Sequence, residues 1–162
     1  MYGDKIVEEF TQIGVNIGLL EQKEEHHTPL SCIIINAASG TRTIINRRDT
    51  KHQMKLDRKT LKLLHPAYLL FDGHEYEAAI EALELFPDAV SVLDAGSLRP
   101  ATKELAGRVT HLICSERFAR DISGINNGDP WNFVKVLMEI NPNPGCVTLG
   151  PKGLMCWERG EV

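Results

Sequence analysis

The feature that most constrains this chain is a series of short apolar runs between Tyr68 and Trp157, each followed by a helical pattern. Tyr68 to Phe71, Val90 to Leu93, His111 to Cys114 and Cys146 to Leu149 show no polar alternation. Glu75 to Leu85, Ala101 to Val109, Glu116 to Ile122 and Trp131 to Ile140 instead carry apolar residues at helical spacing. Strands of this kind separated by helices predict an α/β fold with a parallel sheet covered on both faces. Crossovers in such a sheet are right-handed. A last strand, Leu154 to Trp157, turns back on its predecessor across Gly150-Pro151-Lys152-Gly153.

The first third of the chain follows another pattern. Ile6, Val7, Phe10 and Ile13 recur at helical spacing and stop at Gly14, which predicts a short amphipathic helix. Ile17 to Glu21 is strand-like. A charged loop with His26 and His27 between acidic neighbours reads as solvated rather than metal-binding. Ser31 to Asn36 and Thr41 to Asn46 flank Ala37-Ala38-Ser39-Gly40, and their isoleucine content predicts a β-hairpin. Ile33, Ile34 and Ile35 are consecutive, as are Ile44 and Ile45, so both faces of the hairpin are apolar. A partner subunit or a ligand is the natural cover. A short helix is expected over Asp57 to Leu64.

Composition narrows the class. The 162 residues are 43% hydrophobic and 25% charged, as expected for a globular domain. The formal net charge of −4 argues against a polyanion partner, so no nucleic acid is expected. The one basic cluster, Arg47-Arg48 with Lys51 and His52, is short, is broken by Asp49, and reads as a solvated loop. No apolar run is long enough to span a membrane, and the polar start Met1-Tyr2-Gly3-Asp4-Lys5 is unlike a secretory leader. Cys32, Cys114, Cys146 and Cys156 fall in strand-like runs without a CxxC pair, so they are expected to be reduced core thiols of a cytoplasmic protein.

Ligands of open α/β sheets bind beyond the carboxyl ends of the strands. Polar residues stand there each time: Asp72-Gly73-His74, then Asp94-Ala95-Gly96-Ser97-Leu98-Arg99, then Ser115-Glu116, then the Gly150 to Gly153 turn. Helix capping explains any one of these, and four in register suggest a site. Familiar phosphate fingerprints are absent. Gly145 and Gly150 have the GxxxxG spacing, but Pro151 stands where the lysine of GxxxxGK[ST] belongs, and no GxGxxG occurs.

These residues also carry a family resemblance. The run Ser31 to Ile45, SCIIINAASGTRTII, resembles the lid hairpin of ribokinase-like (PfkB-type) carbohydrate kinases, especially the ketohexokinase and fructokinase branch. LLFDGH, VLDAGSLRP, HLICSERFARDISG and CVTLGPKGLMCW follow in that family's order and spacing. The resemblance implies a three-layer α/β/α ribokinase-like domain over residues 1–162, with a lid over about residues 17–50, incomplete at both ends. It also implies a sugar-like substrate, ATP with Mg2+, and transfer of the γ-phosphoryl group to a hydroxyl. Arg42, Asp72, His74 and Asp94 would then face substrate. Asp94 is alternatively a structural ion pair with Arg99. Ser115, Glu116, Thr148, Gly150 and Gly153 would line the nucleotide site. Ser115 and Phe118 stand where many relatives carry the Asn and Glu of an Asn-x-x-Glu pattern.

The family's Asp-Thr-x-Gly-Ala-Gly-Asp motif, which supplies an anion-holding helix end and the base, has no match here. The glycine pair of the family's opening strand has none either. The expectation is therefore an internal piece of a kinase without turnover of its own, an exposed apolar sheet edge, and a homodimer through the lid hairpin. A non-catalytic sugar- or nucleotide-binding regulatory module and a structural interaction domain are the alternatives.

Overall fold

The computed structural model describes residues 2–47 and 54–158. Arg48, Lys51 and His52 of the basic cluster lie outside them. The chain divides into two compact units, Met1–Gln53 and Met54–Val162.

The first unit begins with helix α1 (Tyr2–Gln12). It stops at Gly14, whose φ of 77° only glycine adopts cheaply. Val15 donates its N–H to Phe10 and Gly14 to Thr11, the paired bonds of a Schellman cap. The strand expected over Ile17 to Glu21 does not form. Asn16 Oδ1 instead accepts the Gly18 N–H at 2.9 Å, and Leu20 donates to the Ile17 carbonyl, so side-chain capture closes turns there.

Strands β1 (Leu30–Ile35) and β2 (Arg42–Arg47) form the expected antiparallel hairpin. Asn36 builds its loop, accepting from Ala38 N at 3.0 Å with its side chain and from Gly40 N at 2.8 Å with its carbonyl. The register sorts the side chains. Ile33 faces Ile44 and Ile35 faces Arg42, while Cys32 faces Ile45 and Ile34 faces Thr43 on the other side. All twelve strand positions are exposed.

The second unit opens with α2 (Arg58–Leu61), capped by Asp57, whose carboxylate accepts from Lys59 N at 3.1 Å. A five-stranded sheet follows in the order β3 (Tyr68–Phe71), β4 (Val90–Ala95), β5 (His111–Ser115), β6 (Gly145–Thr148) and β7 (Leu154–Trp157). The first four strands are parallel and β7 is antiparallel. Helices α3 (Tyr76–Leu85), α4 (Pro100–Ala106), α5 (Glu116–Ser123) and α6 (Pro130–Ile140) fill the crossovers.

Each parallel strand is added beside its predecessor in chain order, so right-handed crossovers set every helix on the same face. The burial pattern agrees. Leu93, Ala95, Leu112, Cys114 and Val147 project to one face and form one core with Ala79, Leu105, Phe118, Phe133 and Leu137 of the helices. The expected cover is thus met on one face. Among the described residues the opposite face is open, with Tyr68, Leu70 and Leu154 exposed and Val90, Val92 and Ile113 half-buried.

The cysteines follow this division. Cys114 points into the core, and burial pushes its thiol up to about 12. Cys146 and Cys156 lie on the open face, and Cys32 is exposed on the hairpin. The expectation of four core thiols therefore holds for one, because strand alternation sends the others outward.

Two buried contacts tie the sheet's far end. Gly145 lies under the Trp157 indole, and a Cβ there would sit 2.2 Å from Trp157 Cζ2. This glycine serves indole packing rather than phosphate approach. Buried Asn141 donates to the carbonyls of Ala106 and Val109 at 2.8 and 2.9 Å, and its own carbonyl accepts from Trp157 Nε1 at 3.2 Å.

Candidate functional site

The carboxyl ends of the parallel strands carry a row of polar groups bonded sideways to one another. After β3, Asp72 Oδ1 accepts the His74 N–H at 2.9 Å, closing a tight turn over Gly73. Gly73 has a φ of 70°, and a Cβ on it would come within 2.3 Å of Thr102 Cγ2. Glycine is therefore required on two counts: backbone conformation and the approach of α4.

Arg99, from the loop after β4, organises this turn. Its Nη2 donates to the Asp72 carbonyl at 3.0 Å and its Nη1 to His74 Nδ1. The same Nη1 lies 3.4 Å from His74 Nε2. That Nε2 stands 3.9 Å from Asp72 Oδ2. The expected ion pair of Arg99 with Asp94 is not what Arg99 makes. Asp94 lies exposed on the open face of β4, whereas Arg99 is held by the β3 turn. Sequence reasoning missed Arg99 in this role. Its one signal was a long cation immediately before the proline that starts α4.

Buried Thr102 fixes the loop below, accepting from Arg99 N at 2.9 Å and donating to Ser97 O at 2.9 Å. Ser115, at the end of β5, reaches sideways to the Gly96 carbonyl at 2.8 Å while its oxygen caps α5 through Phe118 N at 3.1 Å. Glu116 is engaged by Arg120, with Nε and Nη2 at 3.0 and 2.6 Å from the same oxygen, Oε1. Arg120 is itself fixed over the Phe133 ring and on the Asn126 carbonyl. Thr148 is exposed at the end of β6, with Oγ1 3.4 Å from the Cys114 carbonyl.

The turn after β6 is a single 3-10 turn, Gly150–Lys152. Gly150 and Gly153 have φ of 61° and 89°, and nothing lies within 4 Å of a Cβ built on either. Conformation therefore demands glycine here, and the space above both is open to a ligand.

The structure thus brings Asp72, His74, Ser115, Glu116, Thr148, Gly150 and Gly153 to one edge of one sheet, with Asp94 at the same end on the open face. Arg42 belongs to the first unit, where it opens β2 opposite Ile35. Among the described residues no cluster of three or more His, Cys, Asp or Glu side chains could hold a metal ion alone. Glu116 Oε2 is the carboxylate oxygen left over from the Arg120 pair.

Comparison with known proteins gives the same direction. The model for pfkB family carbohydrate kinases matches residues 1–162. No curated protein matches significantly. Among solved structures, a ribokinase-like protein from Agrobacterium tumefaciens superposes with a TM-score of 0.78 at 23% identity, over 99% of this chain and 53% of that one. The ribokinase from Thermotoga maritima gives 0.74 at 18% identity, over 99% and 54%. The ribokinase from Giardia lamblia gives 0.75 at 15%, over 98% and 52%. At these identities the likeness is one of fold, and the chain spans about half the length of each.

Proposed function

Since the chain belongs to the pfkB family of carbohydrate kinases, we propose that it supplies the sugar-facing and nucleotide-facing rim of an ATP-dependent sugar kinase. The observation that carries this reading is the laterally bonded polar row at the carboxyl ends of β3 to β6. β3 and β6 lie three strand spacings apart, roughly 14 Å, which leaves room for a sugar and a phosphate chain side by side.

Asp72 and His74 then receive sugar hydroxyls, with Arg99 holding the turn that presents them and Asp94 on the same rim. Thr148, Gly150 and Gly153 give the nucleotide an uncrowded backbone edge, and Ser115 and Glu116 border it. Mg2+ binds through one or two carboxylates plus substrate phosphates, and Glu116 Oε2 fits that requirement. The ion, when bound, neutralises phosphate charge during transfer. The Ser31 to Ile45 run favours the ketohexokinase and fructokinase branch.

None of the 162 residues matches the Gly-Ala-Gly-Asp turn that supplies base and anion hole. These residues alone are therefore expected to bind without turnover, in the cytoplasm. The hairpin is apolar on both faces, with Ile33, Ile35 and Ile44 beside Arg42 on one and Cys32, Ile34 and Ile45 on the other, and the hairpin of a second copy is a natural cover.

Thermal melting with and without ligand tests the reading. Mg-ATP, or a hexose in millimolar excess, should raise the melting temperature, since a ligand at one hundred times its Kd adds about 2.7 kcal/mol. Asp72→Ala should abolish the sugar response and leave the nucleotide response. If no nucleotide or sugar moves the transition, the rim is not a binding site and the interaction-domain reading replaces this one. Phosphorylation of any sugar above an Asp72→Ala blank would overturn the expected lack of turnover.

A further inference from the structure

The open face of the sheet holds a pair of thiols that the kinase reading does not use. Cys146 on β6 and Cys156 on β7 are direct partners in the antiparallel register. Their pairing type follows from the end of the hairpin. Leu149 donates its N–H to the Gly153 carbonyl at 2.8 Å, which makes Leu149 and Gly153 a hydrogen-bonded pair. Pairs alternate along an antiparallel ladder, so Thr148 with Leu154 is non-bonded, Val147 with Met155 bonded, and Cys146 with Cys156 non-bonded. Non-bonded partners have Cα atoms about 4.5 Å apart, inside the 4.4–6.8 Å span of disulfides. The register therefore sets the two thiols side by side on the same face of the sheet. Of the other cysteines, Cys114 projects to the core face, and Cys32 belongs to the hairpin of the first unit.

We propose that Cys146 and Cys156 form a reversible cross-strand disulfide, making the β6–β7 hairpin a thiol-oxidation site. The oxidant is a small exposed disulfide such as oxidised glutathione. Cys156 is exposed, so its thiolate attacks one sulfur of the oxidant, forming a mixed disulfide and expelling the first reduced thiol. Cys146, half-buried beside it, then attacks the Cys156 sulfur as its thiolate. The second reduced thiol leaves, and the S–S bond joins the strands. Two protein thiols and one disulfide thus give one protein disulfide and two small thiols, with both thiol protons passing to solvent or to the leaving thiolates. Burial and the contact with Cys156 push the Cys146 thiol up to about 11, so the closing step quickens as pH rises. The bond would tie the strand end bearing Thr148 to Leu154 of the returning strand, at the rim assigned above to nucleotide, although the thiol chemistry does not depend on that assignment.

The test is peptide mapping of the intact chain after equilibration in glutathione buffers of rising oxidised fraction, followed by acid quench and alkylation. Trypsin separates Cys146, in residues 136–152, from Cys156, in residues 153–159. The expected product is these two peptides joined, two hydrogens lighter than their sum, on a monomeric band in non-reducing electrophoresis. Dithiothreitol should return both peptides alkylated. Cys146→Ser should stop at a glutathione adduct on Cys156, and Cys156→Ser should leave Cys146 unmodified over the same period. Separate alkylated peptides at every ratio, stable glutathione adducts on the unsubstituted chain, or a joined pair found only between two molecules would each overturn the proposal.

Discussion

Gly145→Ala tests the far end of the sheet with one methyl group. The added Cβ would stand 2.2, 2.6 and 2.7 Å from Cζ2, Cε2 and Cη2 of Trp157. Carbon atoms pack at about 3.5–4.0 Å, so the indole has to retreat by roughly 1.3 Å or more. It has nowhere to go cheaply, because Trp157 is 2% exposed and its Nε1 is bonded to the Asn141 carbonyl at 3.2 Å. Overpacking of this kind costs about 1–3 kcal/mol, and losing the indole hydrogen bond about 1 more. Alanine returns about 0.4–1 kcal/mol by restricting the unfolded chain, which leaves a net loss of about 2–3 kcal/mol. Urea unfolding followed by far-ultraviolet circular dichroism should show a midpoint lower by about 1–2 M at unchanged slope. In a Trp157→Leu background the ring is gone, and the same alanine should cost less than about 1 kcal/mol. Equal cost in both backgrounds would refute the steric reasoning.

Other outcomes follow from the same geometry. Asn141→Ala leaves the Ala106 and Val109 carbonyls without their donor in a buried site and should cost about 2–4 kcal/mol in the same assay. Asn141→Asp should not rescue it, because a carboxylate cannot donate to the two carbonyls. Alkali should weaken the fold through Cys114. Its folded value near 12 lies above the ordinary 9.0, so its contribution is complete below pH 9 and drains away from there toward pH 12. Between pH 8 and 11 the unsubstituted chain should lose about 2–3 kcal/mol more than Cys114→Ala, and parallel curves would refute this. Ile34→Lys should shift the sedimentation of the chain toward monomer, and an unchanged sedimentation would refute dimerisation through the hairpin.

The sheet and its helices were legible because the signal was local. Tyr68–Phe71, Leu154–Trp157 and the helix beginning near Glu75 are each set by apolar spacing. The hairpin was equally clear from its two isoleucine runs. The Ile17 to Glu21 strand failed because the Asn16 side chain competes for backbone donors that apolar counting ignores. Which sheet face the described helices cover was not legible, for a topological reason. Apolar runs say that a face can be covered, but strand order decides which face the crossovers reach. At the site, Asp72, Thr148 and the glycine turn were visible as polar strand ends. Arg99 was not, because its partners, Asp72 and His74, are remote in sequence and close only once β3 and β4 pair. Glu116 was legible as an acid at a helix start, but not its engagement by Arg120, which an i,i+4 reading of that helix would have shown.

The in-order sheet also has a consequence for how this unit is made. Every strand from β4 to β7 finds a partner in the strand just before it, so among the described strands each pairing needs only its own crossover. Loop-closure entropy is then met one crossover at a time rather than across the whole unit at once. A chain emerging from the ribosome can add each strand and its helix to an existing edge as they appear. Of the strands' core residues Val147 and Trp157 join last, so the unit closes by sealing its core rather than by reopening it.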